Sequence, residues 1–173
     1  TKKLEAEIES HKKSEQELLL SRQRFQQLAD SLPQTVFETD LDGMLTYVNR
    51  SAFDFFRYSQ QDFDNGLQAF QMLHPSERQR AKENTAALIA MKQPPSFIGR
   101  EYRMIRKDKT VFDAIVHSYV ILRNGKPQGI CGIIVDITEL KNARERLEKI
   151  NDELDFKVKE RTAELAFANE KLK

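Results

Sequence analysis

The most reactive side chains in this sequence are one cysteine, Cys131, and three histidines, His11, His74 and His117. A lone cysteine can form neither an internal disulfide nor a Cys-x-x-Cys zinc or redox motif. The histidines lack HExxH spacing, and the sequence contains no Ser–His–Asp or Cys–His arrangement in a suitable context and no glycine-rich phosphate loop. We therefore predict no catalytic residue and no metal site, and we expect that this chain is not itself an enzyme.

Charge is balanced along the chain. There are 28 Lys and Arg residues against 27 Asp and Glu residues, for a net charge of +1. Binding to nucleic acid or to an anionic membrane needs a basic surface of one sign, so we expect neither contact. No stretch approaches the roughly 18 consecutive apolar residues of a membrane-spanning helix, and no signal peptide opens the sequence. We expect a cytoplasmic location, and whether the parent protein is membrane-anchored stays open.

Three segments follow from the composition. Residues 1–30 contain no Gly or Pro and predict an N-terminal amphipathic, coiled-coil helix. Residues 31–138 carry the turn-forming residues and the strand-like runs of a compact domain. Residues 139–173 again lack Gly and Pro and predict a second coiled-coil helix. We therefore expect one domain between two long helices.

The central segment predicts two strands, several short helices and then three strands. Asp42-Gly43 and Asn124-Gly125 have the composition of tight hairpin turns. This order predicts an α+β fold, with a five-stranded antiparallel sheet and short helices on one face. The predicted strands are Val36–Thr39, Leu45–Val48, Phe97–Arg106, Val111–Leu122 and Ile130–Ile137. Three helices are predicted between the second and third strands. The first is capped by Asn49 or Ser51 and runs through Phe56, the second is a turn from Gln60 to Asp64, and the third spans Ser76–Met91 and ends before Pro94-Pro95.

The last helix has the apolar spacing of a coiled coil. Its apolar residues recur at alternating intervals of three and four, which is the a/d pattern of a heptad repeat. Val158 follows Leu154 by four residues where three are due, and such a stutter locally unwinds a supercoil. Because so charged a helix has little to bury within its own chain, we predict a homodimer through parallel coiled coils. The apolar positions are Leu140, Ala143, Leu147, Ile150, Leu154, Val158, Leu165, Ala168 and Leu172.

Short motifs then identify a family resemblance over Phe25 to Thr138. In order, they are Arg24-Phe25, Leu28-Ala29-Asp30-Ser31, Thr39-Asp40-Leu41-Asp42-Gly43, Tyr47-Val48-Asn49, Phe56-Arg57-Tyr58-Ser59, His74-Pro75, Glu101-Tyr102-Arg103, Lys107-Asp108, Gly129-Ile130-Cys131-Gly132 and Asp136-Ile137-Thr138. Their order and spacing resemble the PAS/PAC sensory domain family. The resemblance implies the PAS fold, a small-molecule cavity, and a signal exit at Asp136-Ile137-Thr138. Two positions depart from the family, since Lys109 and Asp113 stand where a glycine and an aromatic residue are common.

The C-terminal tail resembles a second family feature. Val158 to Leu165, with Asn169 to Leu172, is similar to the connector helix that precedes the kinase core of bacterial sensor histidine kinases. The resemblance implies a sensory or signal-relay module of a dimeric bacterial protein, with an output domain, most simply a histidine kinase, beyond this regulatory fragment. Two alternatives stay open: a ligand-free dimerisation and relay module, and the input domain of a diguanylate cyclase.

The family cavity lies between the helices and the concave face of the sheet, and the resemblance assigns side chains to it. For most of them a filled core is the simpler interpretation. Small side chains at Ala114, Ser118 and Gly132 are the one hint of space for a ligand. The predicted pocket residues are Phe37, Thr39, Phe56, Met72, Met104, Ala114, Val116, Ser118, Gly132 and Ile134.

Two cofactors of the family are disfavoured by the sequence. Flavin-binding PAS relatives carry a cysteine in the segment that corresponds to Tyr58–Leu73, and this segment has none. Haem-binding relatives carry a histidine in the long internal helix, and Ser76–Met91 has none. The cofactor, if there is one, stays unidentified.

The outer face of the sheet is the predicted partner surface. Strand alternation divides each strand into two sets of side chains, and the family resemblance places Ile115, His117 and Tyr119 on the outer face, together with Cys131, Ile133 and Val135. An exposed apolar patch commonly marks an interface. We expect the N-terminal helix of one copy to pack over it through Phe25 and Leu28. The predicted dimer contacts are Leu18, Phe25, Leu28, Ile115, Tyr119, Ile133, Leu140, Leu147, Ile150, Leu154 and Leu165.

Overall fold

A computed structural model of the chain describes residues 2–91 and 98–170. Five strands form one antiparallel sheet in the order β2-β1-β5-β4-β3, which confirms the predicted fold class. In chain order the elements are α1 (Lys2–Ser31), β1 (Thr35–Asp40), β2 (Leu45–Val48), α2 (Arg50–Phe56), α3 (Gln60–Asp64), 3₁₀ turns at Ala69–Met72 and Pro75–Glu77, α4 (Arg78–Ala90), β3 (Ile98–Ile105), β4 (Val111–Arg123), β5 (Lys126–Asp136) and α5 (Thr138–Glu170).

Both predicted hairpin turns are present. In the first, Asp40 Oδ1 accepts hydrogen bonds from the backbone N–H groups of Asp42 and Met44, each at 2.9 Å. In the second, Asn124 and Gly125 both have positive φ, at 51° and 73°, as a turn of the mirror-image type requires. These turns set the pairing of β1 with β2 and of β4 with β5.

The long internal helix begins later than predicted. Pro75–Glu77 forms a 3₁₀ turn, in which the His74 ring accepts a hydrogen bond from the N–H of Ser76, and α4 starts only at Arg78. Pro75 lacks an N–H group, which suits the first turn of a helix. The prediction for Phe97 and for the helix stop at Pro94-Pro95 lies outside the described residues.

The core lies between the inner face of the sheet and the short helices. Strands β1, β4 and β5 alternate between buried and more exposed residues, which gives the sheet one apolar face. Phe56, Phe55 and Phe112 pack edge to face, with ring centroids 4.9 to 5.7 Å apart. This cluster closes one end of the core.

The chain divides into two compact units, Thr1–Val135 and Asp136–Lys173. Helix α1 and the sheet belong to the first unit, and α5 forms the second. Among the helices in the described part of the chain, none is both long and apolar enough to cross a membrane.

Candidate functional site

A cavity of about 110 Å³ lies between the inner face of the sheet and the helices of the first unit. Eight of the ten predicted pocket residues line it, and Ala114 and Gly132 do not. The eight are Phe37, Thr39, Phe56, Met72, Met104, Val116, Ser118 and Ile134.

Gly132 serves strand packing and leaves no space for a ligand. A Cβ atom on this residue would lie 2.1 Å from the backbone oxygen of His117 and 3.0 Å from the ring of Phe37. The glycine therefore lets two backbones approach each other closely. Ala114 is fully buried within the hydrophobic core. Of the three small residues expected to leave space, Ser118 alone lines the cavity.

The helical wall of the cavity was predicted only in part, through Phe56 and Met72. Phe63, Leu67 and Phe70 lie on α3 and in the segment that follows it, and they line the cavity opposite the sheet. Tyr102 on β3 lines it as well, and its hydroxyl accepts a hydrogen bond from Asn84 Nδ2 at 2.9 Å. The aromatic residues Phe63 and Phe70 in this short segment could have indicated a buried wall.

Polar groups are sparse in the cavity, and one of them is unsatisfied. Thr35, the first residue of β1, is 3% exposed and lines the cavity. Its Oγ1 atom has no hydrogen-bond partner among the described residues. Asp40 also lines the cavity, but its carboxylate accepts the turn hydrogen bonds from Asp42 and Met44. Among the buried polar side-chain atoms without a hydrogen-bond partner in the described residues, the Thr35 hydroxyl is the one whose residue lines the cavity.

Asn49 connects three elements beside this threonine. It occupies the cap position of α2, as predicted, but its side chain makes no capping hydrogen bond there. Instead Oδ1 accepts from Val36 N at 2.9 Å, and Nδ2 donates to the carbonyls of Ala29 at 2.8 Å and Gln34 at 2.9 Å. The residue is fully buried. It ties the end of α1 to the start of β1, next to Thr35.

Ion pairs join the β3–β4 turn to the helices. Lys107 Nζ donates to Asp62 Oδ2 at 2.6 Å, and Arg57 pairs with Asp108. The hydrogen bond from Lys107 and those from the Ser59 backbone and hydroxyl lower the pKa of Asp62 from 3.8 to about 2. Asp62 therefore stays ionised well into the acid range, which keeps α3 attached to the β3–β4 turn.

On the outer face, the predicted contacts are exposed to different extents. Ile115 and Ile133 are half-buried, and Tyr119 is 43% exposed. Phe25 of α1 packs its ring 5.6 Å from the ring of Tyr47 in the same chain and is still more than half exposed. Helix α1 thus covers part of the sheet edge of its own domain.

Cys131 lies on this outer face, away from the cavity lining. Burial raises the pKa of its thiol. The neighbouring thiol and its hydrogen bond raise the pKa of Tyr119. Both groups are therefore neutral near pH 7.

The exit motif forms the junction between β5 and α5. Asp136 Oδ1 accepts a hydrogen bond from the N–H of Thr138 at 2.8 Å, and the carbonyl of Ile137 accepts one from the N–H of Lys141. Ile137 is buried. The first turn of α5 is therefore hydrogen-bonded to the strand end from which it emerges.

The predicted coiled-coil positions are exposed in the single chain. The five heptad residues of α5 proposed as dimer contacts are between 53% and 67% exposed: Leu140, Leu147, Ile150, Leu154 and Leu165. On α1, Leu18 and Leu28 are about as open. Phe156 and Phe167 were not among the predicted contacts, and they are exposed on α5 outside the heptad positions.

A family model described as the PAS domain matches residues 33–139. The chain belongs to the PAS domain family. None of the curated proteins matches it.

Several solved PAS structures share the fold. The PAS domain of an HTR-like protein from Haloarcula marismortui is 17% identical, with a TM-score of 0.59 over 73% of this chain and 99% of that one. A PAS domain from Colwellia psychrerythraea is 21% identical, with a TM-score of 0.61 over 69% and 98%. A sensory box histidine kinase/response regulator from Burkholderia thailandensis is 18% identical, with a TM-score of 0.57 over 76% and 98%.

One departure from the PAS pattern has a visible consequence. Lys109 stands where family members often have glycine, and its φ is +72°. Left-handed backbone is unfavourable for a residue with a Cβ atom, by about 1–2 kcal/mol. The turn keeps this conformation because Lys109 N donates to the carbonyl of Arg106 at 2.9 Å and Asp108 Oδ1 accepts from Thr110 N at 3.0 Å.

No metal-binding cluster of His, Cys, Asp or Glu occurs within residues 2–91 and 98–170. His117 lies on β4 with its ring on the outer face, against the position where Gly99 would carry a Cβ atom. His74 hydrogen-bonds the Ser76 hydroxyl at 2.8 Å in the turn before α4. Both histidines thus have structural surroundings outside the cavity lining.

Proposed function

We propose that the chain is the sensory and signal-relay PAS module of a homodimeric signalling protein. A signal received in the cavity passes through α5 to an output domain, a histidine kinase, and this chain itself has a regulatory role without catalysis. The observation that carries the proposal is that α5 follows β5 directly along the chain. Ile134 lines the cavity, and only Val135 to Ile137 separate it from the first residue of α5.

Dimerisation is supported by the exposed heptad residues of α5. Full burial of a leucine or isoleucine side chain contributes about 1.5–3 kcal/mol. A second copy in parallel covers Leu140, Leu147 and their neighbours with the same residues of its own helix. In that arrangement the two α5 helices run in the same direction, as a paired output domain requires.

The stutter gives this coiled coil two packings. Four residues separate Leu154 from Val158, so a strict heptad cannot be kept through this turn. Arg161 occupies the next core position and pairs with Glu164 at 3.0 Å on its own helix. A charged core position weakens the packing there, and a weakly packed step can change register when the preceding turn moves.

A histidine kinase is the output supported by two separate likenesses. The tail from Val158 to Leu165 is similar to kinase connector helices. The Burkholderia protein of the same fold is a sensory box histidine kinase/response regulator, and a further PAS structure comes from a two-component sensor histidine kinase.

Register-dependent control of a fused kinase tests the relay. The chain is joined after Leu165 to a histidine kinase core, with zero to seven added residues. Autophosphorylation is expected to recover at seven residues and to differ strongly at three or four, because a heptad restores the same helix face. Activity that ignores the insert length would contradict a relay through α5.

A relay without a ligand is the second candidate, and the Asn49 hydrogen bonds favour it. Because Asn49 fastens α1 to the domain, motion of an upstream helix reaches the sheet without any molecule in the cavity. Asn49→Ala separates the two in a kinase fusion that also carries an upstream signalling domain before α1. If the relay alone operates, an upstream domain loses control of the kinase, whereas ligand control survives in the sensory case.

A further inference from the structure

The cavity has a size suited to one small ring. Its volume of about 110 Å³ is of the same order as an apolar cavity of about 150 Å³ that stays dry and binds benzene. Most of its wall is aliphatic or aromatic, with Phe56, Phe63 and Ile134 on three different elements. Such a space favours a compact apolar molecule over water.

The charged side chains that line the cavity restrict the charge of the ligand it can bind. Among the described residues that line the cavity, Asp40 alone is charged at pH 7, and no Lys, Arg or His side chain is present. The Asp40 carboxylate is already held by the N–H groups of Asp42 and Met44. An anionic ligand would therefore lose its hydration without gaining a cation, and burying an unpaired charge is strongly unfavourable.

One polar atom in the wall has no partner within the described residues. The hydroxyl of Thr35 is closed to bulk water and makes no hydrogen bond. An unpaired buried hydroxyl destabilises the empty protein, and a ligand group that bonds to it removes this cost. The neighbouring inward residues Phe37 and Thr39 on β1 continue the same wall.

We propose that the cavity binds a small, neutral, mainly apolar molecule whose single hydroxyl or carbonyl group hydrogen-bonds to Thr35. This inference rests on the proposed sensory function and specifies its ligand class. The hydrogen bond forms one residue from Val36, whose N–H donates to Asn49. Binding therefore acts directly beside the side chain that fastens α1 to the sheet.

Calorimetric titration of the whole chain with three single-ring probes tests the proposal. The probes are phenol, benzene and benzoate, which differ in the polar group and share the ring. Phenol is expected to bind most tightly, benzene more weakly, and benzoate not at all. Thr35→Val, which removes the hydroxyl and keeps the shape, should weaken phenol about three- to tenfold and leave benzene unchanged or slightly tighter.

Two further variants complete the design. Thr46→Val is the matched control, since Thr46 donates to Glu38 at 3.0 Å outside the cavity lining, and it should change neither affinity. Ser118→Leu fills the cavity and should weaken phenol and benzene together. Thr35→Val should also fold normally and melt no lower than the parent chain, because the lost hydroxyl had no partner among the described residues.

Three results would overturn the proposal. They are unchanged phenol affinity in Thr35→Val, benzoate binding as tight as phenol, and no binding of phenol or benzene by the parent chain. The kinase fusion keeps these failures separate from the relay. Heptad-dependent kinase activity without phenol binding removes the ligand class only, and phenol binding without that dependence removes the relay only.

Discussion

Asn49 donates a hydrogen bond to the carbonyl of Ala29 across 2.8 Å and 20 residues of sequence. Its other two hydrogen bonds reach Val36 and Gln34, so a single amide holds the end of α1, the loop after it and the start of β1. Because Asn49 is fully buried, water cannot replace these bonds. This one side chain thus makes three of the hydrogen bonds at the junction between helix and sheet.

Asn49→Ala is predicted to lower the free energy of unfolding by about 3 kcal/mol, because it removes all three hydrogen bonds of a buried amide. Asn49→Asp should be similarly severe, since a carboxylate can accept from Val36 but cannot donate to the two carbonyls. Urea denaturation measures both, and Asn151→Ala on the exposed face of α5 is the control. A change under about 1 kcal/mol in Asn49→Ala would contradict the role of the amide.

Lys109→Gly is predicted to stabilise the domain by about 0.5–1 kcal/mol, because glycine adopts the observed φ of +72° without a Cβ clash. Lys109→Ala is the matched variant, since it removes the side chain and keeps the Cβ atom. Thermal unfolding should therefore shift upward for glycine and stay near the parent value for alanine. Equal shifts in both variants would mean that the side chain, not the backbone, sets the effect.

Gly132→Ala is predicted to destabilise the sheet by about 2–4 kcal/mol, because its Cβ atom would collide with the backbone oxygen of His117. Gly125→Ala is the comparison: its Cβ would meet no described atom within 4 Å, so only the positive φ opposes it, at about 1 kcal/mol. Chemical denaturation of the two variants checks the order. The reverse order would show that a Cβ atom can be accommodated at Gly132.

Asp62→Asn is predicted to reduce stability at neutral pH and not at very low pH. The pKa of Asp62 falls from 3.8 to about 2 on folding, so its stabilisation is complete above pH 3.8 and is lost as pH drops from there through about 2. The urea midpoints of parent and variant should therefore differ at pH 7 and converge below pH 2. Asp155→Asn, on exposed α5, controls for the change in net charge. A difference that persists at the lowest pH would assign the effect to packing.

The sequence predicted the sheet well because its signals are local. Asp42-Gly43 and Asn124-Gly125 mark turns by their own backbone preferences, and alternation along β4 separates its two faces, of which the family resemblance identified the inner one. Asn49 was predicted as a helix cap for the same local reason, but its partners lie up to 20 residues away. Only the folded chain brings them together.

The cavity was harder to predict than the sheet. A small residue suggests space equally when it opens a pocket and when it lets two strands approach, and Gly132 does the latter. Thr35 lies just before the predicted strand Val36–Thr39, and nothing in its residue type or its neighbours indicated a place in the cavity wall. Whether a buried hydroxyl has a partner is a tertiary property, so the sequence contained no sign of it.

The mass of the chain in solution tests the central claim most directly. Sedimentation equilibrium at micromolar concentration should give twice the chain mass of 20.2 kDa. Leu147→Asp should return the single-chain mass by placing a charge in the heptad core. Asn142→Asp, at an outward c position of the same heptad repeat, should leave the dimer intact. A single-chain mass for the parent protein, or a dimer that survives Leu147→Asp, would contradict a module that signals through a paired α5.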